Sequence, residues 1–222
     1  MATQLEARAR RGLGYELRGQ LGSLLEIRLA RGDRVYATAG ALVAMGEGVK
    51  FEARPGKRVL RRVLLGGSHY LQQFECEAER SSLVLAGVAG RRVHAVEVSA
   101  GRERMIAPGA FLAAEGGLEL DLYVQKSARG GLLGRRFCWG RLSGEGWAFL
   151  QAPGDVLTVP LGERETLSVD SAHVLLFDAK VGLDLQPVLG LRTQLWGGEG
   201  FYLTKFVGPG EVLLSTRPEL RC

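Results

Sequence analysis

Three histidines and three cysteines have the widest chemical reach in this chain, and their spacing narrows what they can do. His69, His94 and His173 lie far apart. A cupin-type metal site needs an His-x-His pair and a Glu on neighbouring strands, and no such pair occurs here. His69 and His173 also fall at different strand positions of the internal repeats, so repeat symmetry does not bring them together. Their expected role is structural. Cys76, Cys138 and Cys222 are odd in number and have no CxxC spacing, which points away from a zinc knuckle and from a secreted disulfide framework. Cys76 and Cys138 sit in apolar strand patterns, as buried thiols do.

Covalent and phosphate chemistry lack their signatures as well. The chain has no Gly-x-Ser-x-Gly elbow, no Ser-x-x-Lys, no phosphate loop ending Gly-Lys-Ser/Thr and no strand-Gly-x-Gly-x-x-Gly-helix. Gly130-Gly131-Leu132-Leu133-Gly134 is Gly-rich but leads into no helix with a Lys/Thr pair, so it reads as a flexible loop. The carboxylate pairs Glu75/Glu77 and Glu163/Glu165 are spaced i, i+2, which on a strand puts both on one face, and that face is expected to be solvated. The expectation is a protein that is not an enzyme and uses no metal and no cofactor.

Charge is the stronger signal. Arg54, Lys57, Arg58, Arg61 and Arg62 fall within nine residues that contain no acid, interleaved with Val59, Leu60, Val63, Leu64 and Leu65. The apolar pairs recur at helical spacing with the arginines largely opposite, which predicts a short amphipathic basic helix over about Pro55 to Leu65.

The elements that must position these residues follow from composition and repetition. The 222 residues are 46% hydrophobic and 24% charged, which excludes disordered and collagenous classes. The longest stretches without charge, Val35 to Gly46 and Val63 to Phe74, are 12 residues each, short of the roughly 18 a spanning helix needs. Met1 to Gln20 is charged and carries no secretory pattern, so the expected location is cytoplasmic. The chain has no Asn and its basic residues are mostly Arg, a bias that fits a thermophile and equally a GC-rich genome. A net charge of +5 favours anionic partners.

Self-similarity then divides the chain. Gly40-Ala41-Leu42-Val43-Ala44-Met45 recurs as Gly109-Ala110-Phe111-Leu112-Ala113-Ala114 and, more loosely, as Ala172-His173-Val174-Leu175-Leu176-Phe177. Each is followed by an alternating strand: Gly48 to Glu52, Gly117 to Asp121 and Gly182 to Gln186. His69-Tyr70-Leu71 with Phe74 matches Phe137-Cys138-Trp139 with Leu142 and Phe201-Tyr202-Leu203 with Phe206. The last two continue into Gly144-Glu145-Gly146 and Gly208-Pro209-Gly210. Agreement in one order makes three β-rich units of about 20–90, 91–158 and 159–220 in a single body spanning 1–222. With 32 Gly and 7 Pro between short alternating strands, each unit is expected to be a small antiparallel sandwich or roll.

Gly32-Asp33-Arg34-Val35-Tyr36-Ala37-Thr38-Ala39-Gly40-Ala41, Pro108-Gly109-Ala110-Phe111-Leu112-Ala113 and Gly197-Gly198-Glu199-Gly200-Phe201-Tyr202-Leu203 are similar to motifs of the prokaryotic branch of the altered-inheritance-of-mitochondria (mitochondrial biogenesis) family. The resemblance covers about Gln20 to Arg217. It departs at Gly67-Ser68-His69, where Gly-Glu-Ser is usual, and at Ala172, where Gly is usual. The resemblance implies an all-β fold like that of the tryptophan RNA-binding attenuation protein (TRAP), a double-stranded β-helix or sandwich with three internal repeats packed into one body. It implies no agreed biochemical activity.

Together the repeats and the charge locate a candidate site. The basic run falls between two repeat strands, and the corresponding intervals hold Arg129 to Arg136 and Leu189 to Trp196. Arg58, Arg61, Arg62, Arg135 and Arg136 are expected to form one basic rim around Leu60, Leu64, Leu132 and Leu133. Such a rim suits an interaction or scaffold protein that docks on an anionic membrane surface or a protein partner. RNA binding is the alternative, an enzyme the third reading, and a homo-oligomer is compatible with all of them.

Overall fold

In Leu24-Leu25-Glu26-Ile27-Arg28-Leu29-Ala30 the period of two puts Leu25, Ile27 and Leu29 on one face, and all three are buried. The computed structural model of the protein describes residues 13–19, 23–55, 70–88, 91–125, 137–187 and 202–218. A leading strand, β1 (Gly14–Arg18), precedes a six-strand unit that occurs three times. The first unit is β2 (Leu24–Ala30), β3 (Arg34–Thr38), β4 (Leu42–Met45), β5 (Val49–Pro55), β6 (Tyr70–Cys76) and β7 (Arg80–Ala86). The second is β8 (Arg92–Val98), β9 (Arg104–Ile106), β10 (Phe111–Glu115), β11 (Leu118–Gln125), β12 (Phe137–Gly144) and β13 (Gly146–Ala152). The third is β14 (Val156–Leu161), β15 (Thr166–Asp170), β16 (Val174–Asp178), β17 (Gly182–Pro187), β18 (Tyr202–Val207) and β19 (Gly210–Ser215).

No unit keeps its strands to itself. Half of the first joins half of the second in an antiparallel sheet ordered β5-β6-β3-β10-β13-β8, and half of the second joins half of the third as β11-β12-β9-β16-β19-β14. The remaining halves form the sheets β1-β2-β7-β4 and β15-β18-β17. Each joint pairs the second strand of one unit with the third strand of the next. Ala37 lies opposite Ala113 at the first joint, and Ile106 opposite Leu176 at the second. All three third strands carry a register break at the same place, between Leu42 and Ala44, Phe111 and Ala113, and Val174 and Leu176. A bulge kept in every copy is part of the design of the unit, since it re-aims the strand toward the next sheet.

The central sheet is covered on both faces. Leu112 and Phe149 point into a core with Leu25, Ile27, Phe74 and Leu85, whereas Phe111 and Leu150 point into a second core with Ile106, Leu142, Leu176 and Phe206. Burial on both faces explains why Phe111-Leu112-Ala113-Ala114 reads as a continuous apolar run. Turn chemistry is repeated too. Gly146 (φ 145°) and Gly210 (φ 153°) start equivalent strands, where a Cβ would collide with Glu115 and with Val181.

Several sequence expectations change. Tyr15 stands on β1, within the charged stretch Met1 to Gln20 for which no strand is expected, and packs edge-on against Trp147 (5.0 Å) and Phe149 (5.1 Å). Ala172 and His173 belong to a 3-10 turn, Ser171–His173, capped by Asp170, so the third copy of its strand begins only at Val174. In the fourth strands Phe51 and Leu120 face Phe74 and Leu142, and the residue facing Phe206 is Leu183. Leu183 therefore corresponds to Phe51, two residues away from its expected match with Val49. A slide of two keeps every side chain on its face, so alternation alone does not detect it. The helix predicted from Pro55 begins on a strand end, since Pro55 closes β5; 56–65 lies outside the described residues.

Candidate functional site

Three excursions, the first two of which hold the candidate rim residues, are bounded by equivalent strands. Residues 56–69 connect β5 to β6, 126–136 connect β11 to β12, and 188–201 connect β17 to β18, in each unit the fourth and fifth strands. Arg58, Leu60, Arg61, Arg62, Leu64, Leu132, Leu133, Arg135 and Arg136 themselves lie outside the described residues. The strands that lead to two of the excursions carry exposed aromatics: Phe51 on β5 is 43% exposed and Tyr123 on β11 is 42% exposed. Exposed aromatic rings on strands whose sequence continues into a basic stretch suit an interface with an amphipathic or stacking partner.

Other candidate residues have structural partners. Glu75 pairs with Arg34 at 3.1 Å and Glu77 with Lys50 at 2.6 Å on the solvated face, as expected. Glu165 Oε2 accepts the Gly162 N–H at 2.8 Å and closes a turn. The His173 Nδ1 lies 2.8 Å from the Ser215 carbonyl oxygen. Cys76 is buried and its thiol donates to the Ala78 carbonyl at 3.3 Å, while Cys138 is only half-buried. His69 and Cys222 lie outside the described residues. Among the described residues no three His, Cys, Asp or Glu side chains gather as a metal-holding group, and no helix is long and apolar enough to cross a membrane.

A buried ion network appears that sequence reading missed. Arg104 is 4% exposed and Asp178 1%. Arg104 Nη1 lies 2.7 Å from Asp178 Oδ1 and 3.0 Å from Glu211 Oε2. Arg102 adds Nε and Nη2 to the two Asp178 oxygens at 3.0 Å each, and the Glu211 N–H donates to Asp178 Oδ2 at 3.0 Å. Hydrogen bonding to Asp178 raises the Arg102 guanidinium above its ordinary range. Every Asp178 lone pair is engaged in joining β9, β16 and β19, so the carboxylate holds strands together and has none left for a substrate. Glu115, at the equivalent position of the second unit, accepts the Trp147 N–H and also the Leu13 N–H at 2.6 Å. A sequence signal existed: aligned units put Arg104 where the first has Val35, opposite the acid Asp178. A cleft lined by Glu103, Tyr123, Arg141 and Phe177, of which Glu103 and Phe177 alternate with Arg104 and Asp178 along the chain, has a volume of about 230 Å³, below the roughly 300–1,000 Å³ usual for a ligand pocket.

His94 gives a pH dependence. Burial holds its imidazole below the ordinary 6.5, against a hydrogen bond to the Gly154 backbone and with a smaller push from Arg92. The unfolded chain then binds this proton more readily than the folded one, so stability falls as pH drops through the ordinary histidine range toward the lower folded value. Thermal midpoints taken from about pH 7.5 to about pH 5.5 should decline less steeply for His94→Gln than for the wild type. Parallel declines would assign the acid sensitivity to other groups.

The family model described as mitochondrial biogenesis AIM24 matches residues 15–217. The fold is similar to the crystal structure of a Streptococcus pyogenes protein from a structural genomics programme. That match has a TM-score of 0.71 and 21% identity, and covers 93% of this chain and 94% of that one. No curated protein matches the chain in sequence.

Proposed function

We propose, on the premise that the chain belongs to the mitochondrial biogenesis AIM24 family, that it is a non-catalytic interaction or scaffold protein whose basic, leucine-rich excursions dock on an anionic membrane surface. The observation that carries this reading is the equivalence of the three excursions. Each connects the same two strands of its unit, and the first two follow strands with exposed Phe51 and Tyr123. Arg58, Arg61, Arg62, Arg135 and Arg136 supply charge, at about 1 kcal/mol per basic residue near an anionic bilayer. Leu60, Leu64, Leu132 and Leu133 supply the apolar surface without which charge alone is screened within about 8 Å at physiological salt. The buried charges support a role without catalysis, because Arg104, Asp178 and Glu211 are committed to one another.

Co-flotation with liposomes of rising anionic lipid content tests the reading. Arg58→Glu/Arg61→Glu/Arg62→Glu removes at least about 3 kcal/mol of attraction, so partitioning should fall by about 100-fold or more. If neither protein floats, or both float equally, the excursions are solvated edges of the sandwich. RNA is the second reading, favoured by the same exposed Phe51 and Tyr123, because bases stack on aromatic faces beside basic grooves.

A further inference from the structure

We propose that the chain assembles head to tail with further copies of itself, the β15 edge of one copy pairing antiparallel with the β4 edge of the next. Wherever one unit follows another within the chain, the second strand of the earlier unit pairs with the third strand of the later, β3 with β10 and β9 with β16. Among the described residues β15 pairs only with β18 and β4 only with β7. One second-strand edge and one third-strand edge are thus left over at opposite ends of the repeat order. First- and fourth-strand edges behave differently: β5 and β8, like β11 and β14, end their sheets even where two units meet. Free edges there are ordinary for this architecture, whereas β4 and β15 lack a partner that both of their counterparts have.

Burial shows the same incompleteness. Val43 is 56% exposed and Met45 46%, while their counterparts Leu112 and Ala114 on β10 are 0% and 3% exposed, and Leu175 and Phe177 on β16 are 3% and 2%. β4 carries the same bulge and the same apolar run as those core strands. An apolar edge strand left open is a template for strand addition. The two internal joints dictate the register of the external one: Ala44 opposite Val169, Met45 opposite Ser168 and Gly46 opposite Leu167. At those joints Gly116 N–H donates to the Arg34 carbonyl at 2.8 Å and Ala179 N–H to the Glu103 carbonyl at 3.0 Å, so Glu47 N–H should donate to the Thr166 carbonyl of the neighbour. Where β9 and β16 place Arg104 and Asp178, the new joint has Leu167 and Gly46, so that position needs no buried ion pair. An open groove of about 660 Å³ runs past Leu13, Glu47 and Arg80 at this end of β4, where the incoming Gly162 to Glu165 turn would bring Glu163.

The two edges are different surfaces, so the contact is heterologous and continues beyond a dimer, into a ring if the rotation closes and a filament if it does not. This inference does not depend on the docking proposed for the excursions. Sedimentation of the full chain tests it beside two variants, Val43→Lys/Met45→Lys and Thr166→Lys/Ser168→Lys, all at exposed positions and each blocking one edge as natural edge lysines do. The wild type should form concentration-dependent species heavier than a dimer, and each variant alone should remain at the 24.0 kDa protomer. An equal mixture of the variants should give a one-to-one dimer that grows no further, because each copy keeps one competent edge. A monomeric wild type, a variant that assembles like the wild type, or a mixture that stays monomeric overturns the proposal. If circular dichroism shows either variant unfolded, Met45→Cys/Ser168→Cys decides: the two thiols face each other across the proposed joint. On oxidation that chain should give a ladder of crosslinked multimers absent from the parent, and no ladder overturns the proposal.

Discussion

Asp178→Ala should lower stability by about 3–5 kcal/mol, because it leaves the Arg104 guanidinium buried without its main counter-charge. Arg104 is 4% exposed, so water does not replace the lost carboxylate, and Glu211 retains only one contact to it, at 3.0 Å. The same deletion frees the Glu211 N–H at the start of β19, and the loss falls where the second unit meets the third. Equilibrium urea unfolding of the variant and the wild type measures the effect. A loss below about 1 kcal/mol, the range of an exposed ion pair, would contradict the assignment of this network to the joint. Arg104→Met/Asp178→Leu should recover much of the loss, since exchanging both members of a buried pair for apolar residues of similar size is often neutral or better.

Phe206→Ala should cost a comparable amount, about 3–5 kcal/mol. Phe206 on β18 is fully buried and packs on Phe177 with ring centroids 5.1 Å apart, and Phe177 in turn meets Trp139 edge-on at 4.9 Å. These rings come from β18, β16 and β12, so the stack ties the β15-β18-β17 sheet to the sheet that the second and third units share. The cost should exceed that of Phe51→Ala, whose ring is 43% exposed. Equal thermal shifts for the two variants would mean that the stack is not a structural joint.

These two sites show what the sequence made legible and what it hid. Alternation identified the strands at Gly48 to Glu52, Gly117 to Asp121 and Gly182 to Gln186, and repetition matched Phe74, Leu142 and Phe206, which are all fully buried on corresponding fifth strands. The partner of each strand was not legible. A period of two states which face is apolar but carries nothing about which neighbour covers it. The sharing of sheets between units, the two-residue slide of Leu183 and the open edge of β4 therefore required the three-dimensional pairing. Arg104 and Asp178 hid for a related reason, since a charged residue in a strand reads as solvated until the acid and the base are seen facing each other. Of the candidate rim, the sequence supplied the residues, and the fold supplies the equivalence of the strands that carry them.

Docking of the Arg- and Leu-rich excursions on an anionic membrane is distinguished from RNA binding by running Arg58→Glu/Arg61→Glu/Arg62→Glu beside the wild type in two assays. These are flotation with anionic liposomes and filter binding of total RNA across a salt series. Binding to RNA through several phosphate contacts should weaken steeply and linearly in log salt, whereas leucine insertion into a bilayer responds far less. The wild type should float with anionic liposomes, the triple variant should not, and RNA retention by both should be weak and equal. Loss of RNA retention in the variant with no difference in flotation would contradict membrane docking and make nucleic acid the ligand of this surface.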